Sequence, residues 1–186
     1  MHKRTVLAGY ALIFLLLATL GALSITPVRA ATTWTVDDDR VEYPDANFTS
    51  IQEAINAATD GDIIQVASGI YYENVVVNKS LTLIGNGSST TIIDGSGTGT
   101  VVSFSAPNIE IRGFTVQNGG GESSDSGIRI GSWIRNTIRE CIVRNNAHGI
   151  EFIGCNSSTI VSNKIMDNSW AGIHVVASSN NIFHYN

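Results

Sequence analysis

Cysteine, methionine, histidine and positive charge are all scarce in this 186-residue chain, and each shortage removes a class of function. The two cysteines, Cys141 and Cys155, stand 14 residues apart. Zinc and redox motifs need closer or more numerous ligands, so the sequence predicts no metal centre. Two buried free thiols, packed as small apolar side chains, are expected rather than a disulfide. Beyond residue 30 only Met166 and three histidines remain beside them, a poor set for copper, which prefers thiolate, thioether and imidazole. Eleven Lys+Arg face 16 Asp+Glu, a net charge of −5 that argues against nucleic acid as a partner. Helical periodicity is nearly absent as well, which excludes a helical bundle.

One long apolar run is present, at the amino terminus. His2, Lys3 and Arg4 precede the stretch from Val6 to Leu23, and Val28-Arg29-Ala30 ends it in a small-x-small pattern. Residues 1–30 therefore read as a signal peptide, with an uncleaved membrane anchor as the alternative because the run is long. An uncleaved segment is the one route to a membrane that the sequence offers. Its removal leaves 8 Lys+Arg against 16 Asp+Glu, a net charge of −8 on residues 31–186, enough chain for a single domain. Secreted, periplasmic or cell-surface residence follows. Asn-x-Ser/Thr triplets at Asn47, Asn78, Asn86 and Asn156 are then candidate glycosylation sites.

The last third of the chain repeats. Gly127-Ile128 recurs as Gly149-Ile150 and Gly172-Ile173, at intervals of 22 and 23 residues, and Ile138, Ile160 and Ile182 keep step. Each unit carries short β-branched runs broken by Asn, Ser and Gly, and no unit can bury its apolar face alone. The pattern predicts an all-β solenoid, a right-handed parallel β-helix with coils of about 22 residues. The one convincing helix, Phe48 to Ala58, has Thr49 or Ser50 as cap and an Ile51, Ala54, Ile55, Ala58 stripe, and is expected to cover the open start of the stack. Gly119 to Asp125 breaks the rhythm as an inserted loop, and such loops are where solenoids usually bind. The last coil stops at Asn186 without a cap, so the chain is expected to continue in a longer protein.

Outward-facing residues carry any chemistry. The Gly-Ile-x-apolar pattern places Ile128, Ile130, Ile150, Phe152, Ile173 and Val175 inside and Arg129, Glu151 and His174 in one outer column. Such a column could bind a sugar chain or supply an acid and a base, against the plainer reading of a surface charge ladder. Trp133 and Trp170 suit stacking on sugar rings, or sealing a turn. Asp37-Asp38-Asp39 could hold calcium, with a solvated loop as the expected reading and no other cofactor predicted. Asn145, Asn146, Asn168, Asn180 and Asn181 are expected to be structural, bonding along the stack.

The stretch from Phe48 to Asn118 resembles the amino-terminal half of the pectin lyase-like β-helix superfamily, through Ser50-Ile51-Gln52-Glu53-Ala54-Ile55, Gly61-Asp62-Ile63-Ile64, Gly69-Ile70-Tyr71-Tyr72-Glu73, Lys79-Ser80-Leu81-Thr82-Leu83-Ile84-Gly85, Thr91-Ile92-Ile93-Asp94-Gly95 and Ile111 to Asn118. The Asn-rich coils after residue 127 resemble its NosD-type branch. The resemblance implies the fold and leaves the activity open, because the later catalytic motifs of methylesterases and the calcium-binding Asp clusters of pectate lyases are missing. The expected role is a non-catalytic, exported surface module contacting polysaccharide or cell-envelope glycan. The alternatives are a polysaccharide lyase or hydrolase with its active site in further coils, and a NosD-like periplasmic accessory protein for copper-site maturation.

Overall fold

A computed structural model describes residues 29–186, and Ala31–Asn186 form one compact unit. The export segment expected at 1–30 lies outside the described residues, save its last two. All paired strands are parallel and wind through about five turns in three sheets. The first sheet runs β1 (Thr33–Val36), β2 (Ile63–Val66), β5 (Thr82–Gly85), β8 (Glu110–Arg112), β11 (Thr137–Arg139), β14 (Thr159–Val161) and β17 (Ile182–His184). The second stacks β3 (Gly69–Tyr71), β6 (Thr91–Asp94), β9 (Thr115–Gln117), β12 (Ile142–Arg144) and β15 (Lys164–Met166). The third stacks β4 (Val75–Val77), β7 (Val102–Phe104), β10 (Ser126–Ile130), β13 (His148–Ile153) and β16 (Ala171–Val176). The expected fold is thus the observed one, with Gly69 to Tyr71 a strand rather than a turn.

The interior is a column of Ile, Val, Leu and Phe, with Leu83, Ile111, Ile138 and Ile160 in register and fully covered. One expected marker is corrected: Ile160 pairs with Phe183, while Ile182 pairs with Thr159 and is exposed. The final spacing is 23, so the apolar phase slips by one residue. Ile173 is only partly buried and Val175 is exposed, because β16 is the last strand of its sheet. Cys141 and Cys155 are free and buried, and burial pushes the Cys141 thiol up to about 12.

Most corners of the later coils are built alike. Residues in the left-handed region precede a polar side chain that bonds to the backbone of the adjacent coil: Asn145 before Asn146, Arg135 before Asn136, Ser162 before Asn163. Asn146 Oδ1 accepts from Gly119 N, and Asn168 Oδ1 accepts from Asn146 N at 3.1 Å. Asn136, Ser158 and Asn181 form a second ladder, and Asn163 with Asn186 a third. Each ladder satisfies amides that the turns would otherwise leave buried and unpaired.

The helix α1 (Ile51–Ala57) covers the start of the stack with Ile51, Ala54 and Ile55. Ser50 caps it, and Glu73 reinforces the cap by accepting from Ser50 Oγ, Ile51 N and Gln52 N at 2.9–3.0 Å. At the other end Lys79 Nζ donates to the carbonyls of Ile55, Asn56 and Ala58 at 2.7–2.8 Å. A carboxylate on the free amides and an ammonium on the free carbonyls match the helix dipole at both ends. Glu73 and Lys79 are therefore clamp residues.

In the Asp37-Asp38-Asp39 turn, Asp38 and Asp39 are exposed as expected of a solvated loop, and Asp37 departs from it. Asp37 is fully buried and accepts from the amides of Asp39, Arg40 and Tyr43. Burial alone would raise its carboxyl, but those hydrogen bonds outweigh it and hold the group below the ordinary carboxylate range. A depressed folded pKa stabilises the fold above the unfolded value of ~3.9 and loses that contribution as pH falls through the folded value. Asp37→Asn is expected to melt below wild type near neutral pH, with the gap closing below about pH 4. A gap of constant size across an acid titration of thermal melting would show that the charge plays no part. Ile150→Asp places a charge in the fully covered core and is expected to cost at least about 4 kcal/mol, read by urea unfolding. Unchanged stability would remove Ile150 from the stack.

Candidate functional site

The Gly-Ile repeat decides which side chains reach the outer face of the third sheet. A Cβ on Gly149 would lie 2.4 Å from Gly172 O and 2.9 Å from Ile165 Cγ2; one on Gly127 would lie 2.7 Å from Val143 Cγ1. Both glycines therefore face inward at a corner, where no side chain fits. The next residues, Ile128 and Ile150, also face inward. Two successive inward positions reset the alternation, so Ser126 and His148, just before the glycines, share the outer face with Arg129, Glu151 and His174.

Register confirms the expected column: Arg129 pairs with Glu151 and Glu151 with His174. It is not an open charge ladder, however. Glu151 is only 4% exposed and holds the centre of a network. Its Oε2 accepts from Arg129 Nε at 2.7 Å and Ser126 Oγ at 3.0 Å, and its Oε1 lies 3.1 Å from His174 Nδ1. The His148 and His174 rings stack with centroids 4.5 Å apart and planes 16° apart. Trp170 tilts against His148 at 6.0 Å and is 62% exposed. The inserted loop reaches the same patch: Arg129 Nη2 donates to Ser124 O, and the His148 amide donates to Asp125 O.

Burial would raise the Glu151 carboxyl, but hydrogen bonds from Arg129, Ser126 and His174 outweigh it and keep the group ionised below its usual range. A carboxylate held this way accepts hydrogen bonds and is a poor proton donor at neutral pH. This disfavours a proton-donating role for the column, one of the two chemistries it could serve, and leaves polar contact to a sugar intact.

Trp133 is 40% exposed in the turn after β10 and makes no ring contact with this cluster, so it belongs to a different place. Among the glycosylation candidates, Asn78 is exposed with no side-chain hydrogen bond, whereas Asn47 and Asn86 bond to Thr35 and Ser68. Asn156 is half-buried and accepts from both Ser179 N and Ser179 Oγ, an arrangement that does not suit a glycan. His148 and Ser126 were not legible as site residues, because strict alternation from Ile150 or Ile128 puts them inside.

The family model for the right-handed β-helix region matches residues 45–186. The chain is 34% identical over 156 residues to a cell surface glycoprotein of Methanothermus fervidus, spanning 75% of this chain and 24% of that protein. It is 45% identical over 60 residues to a probable pectinesterase/pectinesterase inhibitor of Arabidopsis thaliana, 27% of this chain and 10% of that one. The chain thus spans a quarter or less of these relatives. Among solved structures, a pectin methylesterase mutant in complex with a hexasaccharide superposes with a TM-score of 0.53 at 11% identity, covering 85% of this chain and 68% of that one. The carrot pectin methylesterase gives 0.51 at 16%, covering 83% and 65%. At these identities the structures show the fold alone.

His174→Ala is expected to cost less than about 1 kcal/mol, since its side chain is 42% exposed. Glu151→Ala, which strips Ser126 and Arg129 of their buried acceptor, is expected to cost about 2–3 kcal/mol. Equal losses in thermal melting of the two variants would mean that Glu151 is not the centre of the network.

Proposed function

The chain belongs to the right-handed β-helix family, and we propose that it is an exported, non-catalytic module of the cell surface that contacts carbohydrate through the outer face of β10, β13 and β16. The observation that carries this reading is the exposed Trp170 ring beside the His148–His174 stack and the Arg129–Glu151 ion pair. An apolar ring face next to fixed hydrogen-bonding groups is what a sugar needs: CH groups lie on the ring and hydroxyls meet the polar edge. The likeness to a cell surface glycoprotein supports the location, and the ion-paired state of Glu151 favours binding over turnover.

A polysaccharide pull-down and glycan array on the chain, with ultraviolet detection of unsaturated products in the same wells, tests it. Binding without product, weakened about tenfold or more by Trp170→Ala and unaffected by Trp133→Ala, is expected. Product formation would make the protein a lyase. Glycan binding that survives Trp170→Ala would move the contact elsewhere.

A further inference from the structure

The same outer face holds a second feature that sugar contact does not require. His148 is 5% exposed, and its Nδ1 is fully buried with no hydrogen-bond partner. Leaving such an atom unmet costs about 1–3 kcal/mol, so its place calls for a ligand. One ring nitrogen each from His148 and His174 and one carboxylate oxygen of Glu151 lie within 4.8 Å of one another. We propose that His148, Glu151 and His174 form a binding site for a divalent transition-metal ion of the zinc class.

The donor set decides the class of ligand. Two imidazoles and a carboxylate converge lone pairs, which repels an anion and suits a cation. Calcium and magnesium take oxygen ligands, whereas imidazole nitrogen suits zinc and its neighbours. Zinc–nitrogen and zinc–oxygen bonds are about 2.0–2.2 Å and an ion lies in the plane of each imidazole that binds it, so binding would turn the His148 and His174 rings out of their near-parallel stack until both planes meet at the ion. The ion would take the place of the proton between His174 Nδ1 and Glu151 Oε1. Arg129 and Ser126 both hold Oε2, which leaves Oε1 for the metal and fixes the carboxylate plane, as outer partners of metal ligands do. The guanidinium also repels the ion and so limits its affinity. Three protein ligands leave a coordination position for water or a ligand hydroxyl.

The fold creates this set. His148 and Glu151 are three apart on one strand, a spacing that ordinary alternation would split between two faces. The inward-facing Gly149 corner brings them to one face, and the stacking of coils brings His174 beside them. Among the described residues the other compact trio, Asp37, Asp38 and Asp39, has the Asp37 oxygens occupied by backbone amides and serves as the control.

Zn2+ titration of the full chain by calorimetry is the test, on wild type, His148→Ala, Glu151→Gln, His174→Ala and the control Asp39→Asn, with melting of each variant recorded without metal. One ion per chain is expected, at least tenfold weaker in each of the three site variants and unchanged in the control. No binding by wild type, or binding that survives His148→Ala and Glu151→Gln, would overturn the site. Should a site variant fail to fold, wild type alone decides: on Zn2+ saturation the imidazole NMR signals of His148 and His174 are expected to shift while those of His2 and His184 stay, and any other pattern refutes the proposal. The site does not rest on the carbohydrate reading, since the metal is titrated without glycan.

Discussion

Each coil of this molecule must lie against the next closely enough for parallel main-chain hydrogen bonds, and at the corner before the third sheet that approach leaves no room for a side chain. At Gly149 the backbone oxygen of Gly172 stands where a Cβ would go. Any other residue there would push the coils apart and break the register that pairs Ile150 with Ile173 and Glu151 with His174. The glycine repeat is thus a steric requirement of stacking. Its local result, two successive inward positions, sets which residues form the core and which form the outer site.

The corners pose a second problem besides close approach. A solenoid turns three times per coil, and each turn leaves amides that no strand can pair. The solution is a left-handed residue followed by a polar side chain that accepts from the adjacent coil. The asparagines at 145, 146, 168, 180 and 181 were legible as structural because Asn suits both halves of that solution. Arg135, Glu140, Ser157 and Ser162 occupy the same left-handed positions and were not legible, because none of them prefers that conformation by itself. Tertiary stacking imposes it. The slip from Ile182 to Phe183 has the same origin: with a coil of 23 rather than 22, the register follows the hydrogen bonds and not the count.

For the site, sequence periodicity was sufficient for the column of Arg129, Glu151 and His174 and misleading for its surroundings. Alternation is a rule about extended strands, and the inward-facing glycines of β10 and β13 break it, so Ser126 and His148 were not legible as members of the outer face. Burial of Glu151 was also invisible, since it depends on Arg129, Ser126 and the His174 ring closing around it and on the inserted loop meeting Arg129. A run of residues cannot show that an insertion folds back over the neighbouring face.

The amino-terminal motifs sharpen where function can reside. Gly69 to Glu73 is part of what makes the early coils resemble methylesterases, and here its buried members serve local structure, with Glu73 serving the cap. Glu73 holds the start of α1, Tyr71 is buried and donates to Ala67 O, and Gly69 sits where a Cβ would strike Asp38. Lys79 completes the clamp from the following turn. Residues committed to closing the end of a hydrophobic column are not free to meet a substrate. Likeness in this region therefore reports the need to seal a solenoid, a need shared by binding proteins and enzymes alike. The later coils carry no such duty on their outer face, and it is there that an ionised, nearly buried Glu151, an unpartnered imidazole nitrogen and an exposed indole meet.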